Sequence, residues 1–126
     1  MNNKLNNKKI TFLGVTFKAG TDDMRESPSL KLIPALSKMG AKINCYEPSG
    51  FKNNFKKLKN VKFFYSLKDA CKSSDLLIIH TEWNEFKQLN FKKIVNKKKV
   101  KVFDLRNLYS PDKMKKNSIN YFSVGR

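Results

Sequence analysis

Short apolar runs rich in β-branched and aromatic residues alternate with helix-patterned segments along this chain. The first run is Lys9–Val15 (KITFLGV). Ser27-Pro28 then opens a helix, with Ser at the N-cap and Pro at the first helical position. Leu30, Ile33, Leu36 and Met39 give that helix an apolar stripe, Pro34 predicts a kink within it, and Gly40 fits the left-handed residue that ends it. Further strands are expected at Lys42–Tyr46, Val61–Tyr65, Asp75–His80, Lys101–Asp104 and Tyr121–Val124. Helices are expected near Phe51–Leu58, at Ser66–Ser73, at Phe91–Asn96 and at Pro111–Lys116, with a helical turn inside the loop Thr81–Phe86. Strands that alternate with helices pair in parallel, because a parallel pair needs a long crossover and a helix supplies it. The fold class is therefore α/β, a Rossmann-like three-layer sandwich with a mostly parallel sheet and helices on both faces. Asp75–His80 is the most apolar strand and should lie centrally.

The 126 residues suit one domain, read as a polar lead-in over 1–8 and a domain over 9–126. The longest apolar run, Leu76–Ile79, is far short of the ~20 residues of a membrane span, and the basic N-terminus has no apolar stretch behind it. The expectation is a cytoplasmic protein with no membrane partner. Cys45 and Cys71 share no metal or redox spacing and read as buried thiols. The 27 Lys and Arg against 10 Asp and Glu give a net charge of +17. The cations are nearly all lysines scattered over loops and outer faces, the run Lys97–Lys99 included, and Asn is abundant beside them. Base readout leans on Arg, so a nucleic-acid partner is not expected. The three arginines, Arg25, Arg106 and Arg126, carry more information because they are few.

In a parallel sheet, ligands bind outside the carboxyl ends of the strands. Three such ends carry chemistry: the loop from Val15 to Arg25, Thr81-Glu82-Trp83, and Asp104-Leu105-Arg106-Asn107. Lys18, Arg25 and Arg106 can converge there on a pyrophosphate or carboxylate. Phe17 offers a flat face to a base or sugar, and the helix that starts near Pro28 adds free N–H groups. The competing reading pairs Arg25 with Asp22, Asp23 or Glu26 nearby.

The sequence shows no catalytic or metal constellation. Gly14 and Gly20 do not form a G-x-G-x-x-G turn, so a dinucleotide cradle with Glu47 on the ribose fails at its glycine step. One His and two separated Cys make no metal site. His80 at a strand end reads as a satisfied core or rim residue rather than a base.

The segment Leu13-Gly-Val-Thr-Phe-Lys-Ala-Gly-Thr-Asp-Asp-Met-Arg-Glu-Ser-Pro28 closely resembles the opening of the C-terminal domain of the UDP-glucose/GDP-mannose dehydrogenase family. Gly40–Pro48, His80–Phe86, Val102–Asn107 and Tyr121–Arg126 resemble four later blocks of that domain in the same order. The Thr-Asp-Asp-Met-Arg-Glu-Ser-Pro and Thr-Glu-Trp blocks look most like the branch that acts on UDP-glucose. The resemblance implies a domain that binds a UDP-sugar, inactive alone, within an enzyme that oxidises the sugar C6 alcohol to a carboxylate in two NAD-dependent steps. It implies that Phe17, Lys18 and Arg106 contact the nucleotide sugar and that Arg25 reaches NAD held on an N-terminal domain. The catalytic Cys, which forms a thioester in the family, and the NAD domain are expected in a missing N-terminal half, and the full-length protein is expected to be a homodimer. One departure is Leu105, where the family has Gly, which raises the question of whether the loop backbone is altered. The alternatives are a dehydrogenase of the same family for another nucleotide sugar and a stand-alone module for nucleotides or polyanions.

Overall fold

The computed structural model describes residues 5–96 and 99–125. Four residues of the lead-in, Lys97 and Lys98 of the lysine run, and Arg126 lie outside the described residues. Six strands form one sheet: β1 Lys9–Leu13, β2 Lys42–Tyr46, β3 Val61–Phe63, β4 Leu76–Ile79, β5 Lys101–Asp104 and β6 Asn120–Ser123. Their order is β3-β2-β1-β4-β5-β6, and every neighbouring pair is parallel. β1 and β4 are the central pair, as the apolar character of Leu76–Ile79 requires. Among the described residues four α-helices flank the sheet: α1 Ser29–Lys38, α2 Leu67–Cys71, α3 Phe91–Ile94 and α4 Pro111–Lys116.

Alternate residues of each strand face opposite layers. Ile10, Phe12, Ile43, Cys45 and Ile78 join Ile33 of α1 and Phe55 of a 3-10 turn, Asn53–Phe55, in one core. Leu13, Leu77, Ile79 and Val102 join Cys71 of α2, Phe91 of α3 and Met114 of α4 in the other. The helices thus cover both faces, as the strand–helix alternation implies. Thr11, buried on the α2 side, donates to the Ala70 carbonyl at 2.8 Å and also bonds Ser74. That contact closes the carboxyl end of α2 onto the centre of the sheet.

Local chemistry sets the element ends. β1 stops two residues before Val15 because Gly14 turns out of the strand at φ +83°. A Cβ there would lie 2.5 Å from the Thr81 Cβ, so Gly14 meets both a conformational and a spatial requirement. α1 runs unbroken through Pro34. It ends in a Schellman motif, in which Ala41 N–H bonds the Leu36 carbonyl at 3.2 Å, Gly40 N–H bonds the Ser37 carbonyl at 3.0 Å, and Gly40 sits at φ +96°. Ser66 and Ser110 accept from the backbone N–H groups of Asp69 and Lys113 and cap α2 and α4. The expected helix over Phe51–Leu58 reduces to the single turn Asn53–Phe55. Two adjacent asparagines disfavour helix there.

Candidate functional site

The carboxyl ends of β1, β4 and β5 meet on one rim, and Arg106 is the residue that joins them. Its Nε donates to the His80 carbonyl at 2.8 Å, and its Nη2 donates to the Phe17 carbonyl at 2.8 Å. The base of the Arg106 loop is set by Asp104, whose side chain is fully buried at the end of β5. Asp104 accepts from Arg106 N–H at 3.0 Å, Leu108 N–H at 2.7 Å, Tyr109 N–H at 3.1 Å and the Tyr121 hydroxyl at 2.6 Å. Four donors hold one carboxylate, so the guanidinium rises from a backbone with little freedom. Leu105 does not need the backbone of a glycine: it lies outside the positive-φ residues and packs against the α1-side core. The left-handed position of this loop is Asn107, at φ +55°.

The loop from Val15 to Pro28 is anchored at its start, across its neck and at its end. At its start, Glu47 at the end of β2 accepts from Val15 N–H at 2.7 Å and Thr16 N–H at 3.2 Å. The other Glu47 oxygen accepts from the Ser49 N–H at 3.0 Å and the Ser49 hydroxyl at 2.8 Å. Thr81 donates its hydroxyl to the Thr16 carbonyl at 2.9 Å. At the neck, Phe17 N–H bonds the Asp23 carbonyl at 3.0 Å. At its end, the Ser27 and Ser29 hydroxyls both donate to the Val15 carbonyl at 2.6 Å. Phe17 and Lys18 project from this closed loop with their side chains exposed.

The three cations do not form one free cluster. Arg25 is tied to Asp23 by Nε at 3.1 Å and Nη2 at 3.0 Å, and its backbone N–H bonds the same carboxylate at 2.9 Å. The local pairing therefore wins at Arg25, because a carboxylate two residues away is an opposite charge reached at little cost in chain entropy. The Arg25 hydrogen bonds hold the Asp23 carboxyl below its ordinary pKa, and the charge of Lys18 acts in the same direction. The reciprocal bond raises the Arg25 pKa. The charges of Lys18 and Arg25 thus both act on Asp23, while Arg106 is bound to the Phe17 carbonyl.

His80 is buried, and its Nδ1 lies 2.9 Å from the Thr81 hydroxyl. That hydroxyl spends its proton on Thr16, so Nδ1 carries the ring proton and Nε2 is left as an acceptor. Nε2 has no hydrogen-bond partner among the described residues. Burial, with the Arg106 charge as a second cause, lowers the imidazole pKa to about 4. His80 is neutral near pH 7 and serves the rim through its backbone carbonyl. Only half of the satisfied state expected of it is realised. Cys45 and Cys71 are buried free thiols, and burial raises both pKa values, that of Cys71 to about 12. Neither is an activated nucleophile.

A shallow groove of about 510 Å³ adjoins the loop, lined by Ala19, Gly20, Pro48, Trp83, Asn84 and Glu85. The Trp83 indole N–H is buried without an acceptor among the described residues. Reading the sequence places Glu47, Thr81 and Asp104 at strand ends but does not assign them the anchoring roles they have here. The available signal was their placement, since each stands within two residues of the end of a strand that feeds this rim.

Fold and site together define a nucleotide-binding type of α/β domain: an open parallel sheet whose β1, β4 and β5 ends present a fixed guanidinium beside an exposed aromatic and a lysine. Residues 11–111 match the model of the UDP-glucose/GDP-mannose dehydrogenase family, UDP binding domain, and the chain belongs to that family. Over 124 residues it is 42% identical to a UDP-glucose 6-dehydrogenase of Rickettsia prowazekii, which covers 96% of this chain and 29% of that protein. A UDP-glucose 6-dehydrogenase of Rhizobium meliloti is 40% identical over 119 residues, covering 94% of this chain and 27% of that protein. The chain thus spans less than a third of the length of these curated relatives and corresponds to their C-terminal domain. Among solved structures, an NDP-N-acetyl-D-galactosaminuronic acid dehydrogenase of Methanosarcina mazei superposes with a TM-score of 0.83 at 23% identity, over 98% of this chain and 26% of that one. At that identity the match speaks for the fold.

Proposed function

We propose that this chain is the nucleotide-sugar-binding domain of an NAD-dependent UDP-glucose 6-dehydrogenase, which converts UDP-glucose to UDP-glucuronate by two oxidations at C6 in the cytoplasm. The observation that carries this reading is the Arg106 bridge. One guanidinium is held by the His80 and Phe17 carbonyls, with no other bond from its side chain among the described residues, beside exposed Phe17 and Lys18. In this reading Arg106 and Lys18 bind the anionic and hydroxyl groups of the UDP-sugar, and Phe17 lies against its ring system.

In this reading NAD finds no cradle among the described residues. The connection from β1 to α1 is a long closed loop rather than a tight glycine turn, and Glu47, the acid that a dinucleotide ribose would require, is spent on Val15, Thr16 and Ser49. NAD therefore belongs to the polypeptide equivalent to the rest of the relatives, and Arg25 is the group this domain offers toward it. That role requires the Arg25–Asp23 pair to open or to share its remaining N–H groups. The polypeptide equivalent to the rest of the relatives, which in this reading also supplies the catalytic Cys, is the domain's partner, and the assembled enzyme is a homodimer.

The test is complementation. Supplying the N-terminal part of a relative should restore NADH production from UDP-glucose, and Arg106→Ala should abolish it. An associated pair that binds neither UDP nor UDP-glucose would end this reading. Sugar profiling of the same pair separates UDP-glucose from other nucleotide sugars.

A further inference from the structure

One register row crosses the α1 face of the sheet from strand to strand: Cys45, Phe12, Ile78, Phe103, Phe122. Its exposure climbs along the row, with Cys45 and Phe12 at 0%, Ile78 at 8%, Phe103 at 39% and Phe122 at 54%. The cause is the layer above. Ile33 of α1 and Phe55 of the 3-10 turn cover the β2–β1–β4 end. The other described helices, α2, α3 and α4, contribute Cys71, Phe91 and Met114 to the opposite face. Nothing among the described residues lies over the β5–β6 end. Phe103 and Phe122 lean together with ring centroids 6.1 Å apart, and Val124 beyond them is also exposed. Lys101, at the entry end of β5, borders the patch.

We infer that this half-face is a docking surface, and that its occupant is an apolar helical segment of the polypeptide that makes up the rest of the relatives. The inference rests on the reading of the chain as one part of such an enzyme. Two observations select the occupant. This chain accounts for 29% of the length of its Rickettsia prowazekii relative, so most of the protein in which such a domain occurs lies outside it. The bare half-face also lies where a third fold layer would sit. A parallel sheet is normally covered on both faces, and among the described residues this half-face is bare over two strands whose other side carries the buried Val102 and Asp104 and the half-buried Tyr121. A helix laid along β5 and β6 would bury both rings and complete the third layer. The bordering Lys101 favours an acidic residue at that end of the helix.

The experiment measures binding of this chain to the N-terminal polypeptide of the Rickettsia prowazekii relative, produced together with it. Phe103→Asp combined with Phe122→Asp should weaken association at least tenfold while leaving the melting temperature of the domain unchanged. Phe51→Asp, at an aromatic of similar exposure beside β3, should leave association intact. Equal binding by the double variant overturns the inference, as does no association of the unsubstituted chain. A self-dimer of this chain that the double variant abolishes, without binding to the other polypeptide, also overturns it and assigns the patch to a second copy. Patch-dependent association without UDP-glucose oxidation would reject the proposed function alone. Restored oxidation with patch-independent association would reject the docking surface alone.

Discussion

Arg106 donates to the carbonyl oxygen of Phe17 across 2.8 Å, a contact between residues 89 positions apart in the chain. The bond fixes a side chain of the β5 loop to the backbone of the β1 loop, and the Nε bond to His80 extends the tie to β4. The rim is one unit, tied by the Arg106 guanidinium and by the Thr81 hydroxyl on the Thr16 carbonyl, not three independent loops.

Arg106→Lys should therefore not behave as a conservative change. One ammonium on a flexible stem cannot reproduce the planar fork that reaches both carbonyls. The expected result is a loss of about 1–2 kcal/mol of stability, with UDP affinity of the assembled enzyme reduced at least tenfold. Urea denaturation and UDP titration measure the two effects separately. Native UDP affinity in the lysine variant would show that charge alone suffices.

Glu47→Gln keeps size and removes the second acceptor. The amide N–H₂ would face Ser49 N–H, so two donors would meet in a buried place. An unsatisfied buried group costs about 1–3 kcal/mol, and a neutral amide oxygen holds the Val15 and Thr16 N–H groups less strongly than the carboxylate does. Lower stability together with faster amide exchange at Val15 and Thr16 is the expected signature. Unchanged protection at those two amides would remove Glu47 from the positioning of the loop.

Gly14→Ala places a methyl 2.5 Å from the Thr81 Cβ at a backbone φ of +83°. Left-handed strain and overpacking each cost about 1–3 kcal/mol, so the variant should lose several kcal/mol or fail to accumulate. Adding Thr81→Gly relieves the clash but not the strain, and should recover part of the loss. A Gly14→Ala protein with native stability would contradict the geometry at this crossing.

His80 gives the domain an acid sensitivity whose sign is set by burial. Its folded pKa is lowered to about 4 from 6.5, so between these values the unfolded chain binds the proton and the folded one does not. Stability is fully present above pH 6.5 and falls as pH drops toward 4, by about 3 kcal/mol at most. Urea midpoints from pH 7.5 to pH 4.5 should follow this slope, and His80→Gln should flatten it. An equal slope in both proteins would assign the sensitivity to other groups.

The architecture was legible because strand identity and order of elements are written in local patterns. Lys42–Tyr46, Lys101–Asp104 and Pro111–Lys116 match their expected bounds, and capping by Ser66 and Ser110 follows from residue type. What one sequence does not display is competition between partners. Arg25 had a neighbouring acid and a distant ligand role available, and the geometry shows the acid taken. Glu47 reads in the sequence as the acid of a dinucleotide cradle that fails, yet two of its four hydrogen bonds come from Val15 and Thr16, which only the β1–β2 pairing brings within reach. The half-covered face was equally invisible. Phe103 and Phe122 have ordinary strand chemistry, and their exposure follows from where α1 lies in space.

The central position of β4 has a consequence for synthesis of the chain. β1, β2 and β3 are complete by Phe63, whereas the strand that seals the other side of β1 ends at Ile79. At about 5–20 residues per second, a nascent half-sheet leaves the ribosome with its most apolar edge unpaired for on the order of a second. The loop that later holds Phe17 and Lys18 has no Thr81 or Arg106 to hold it during that interval. Chaperone demand should therefore peak at this point of translation, before the rim exists, and not at the exposed lysines that dominate the finished surface.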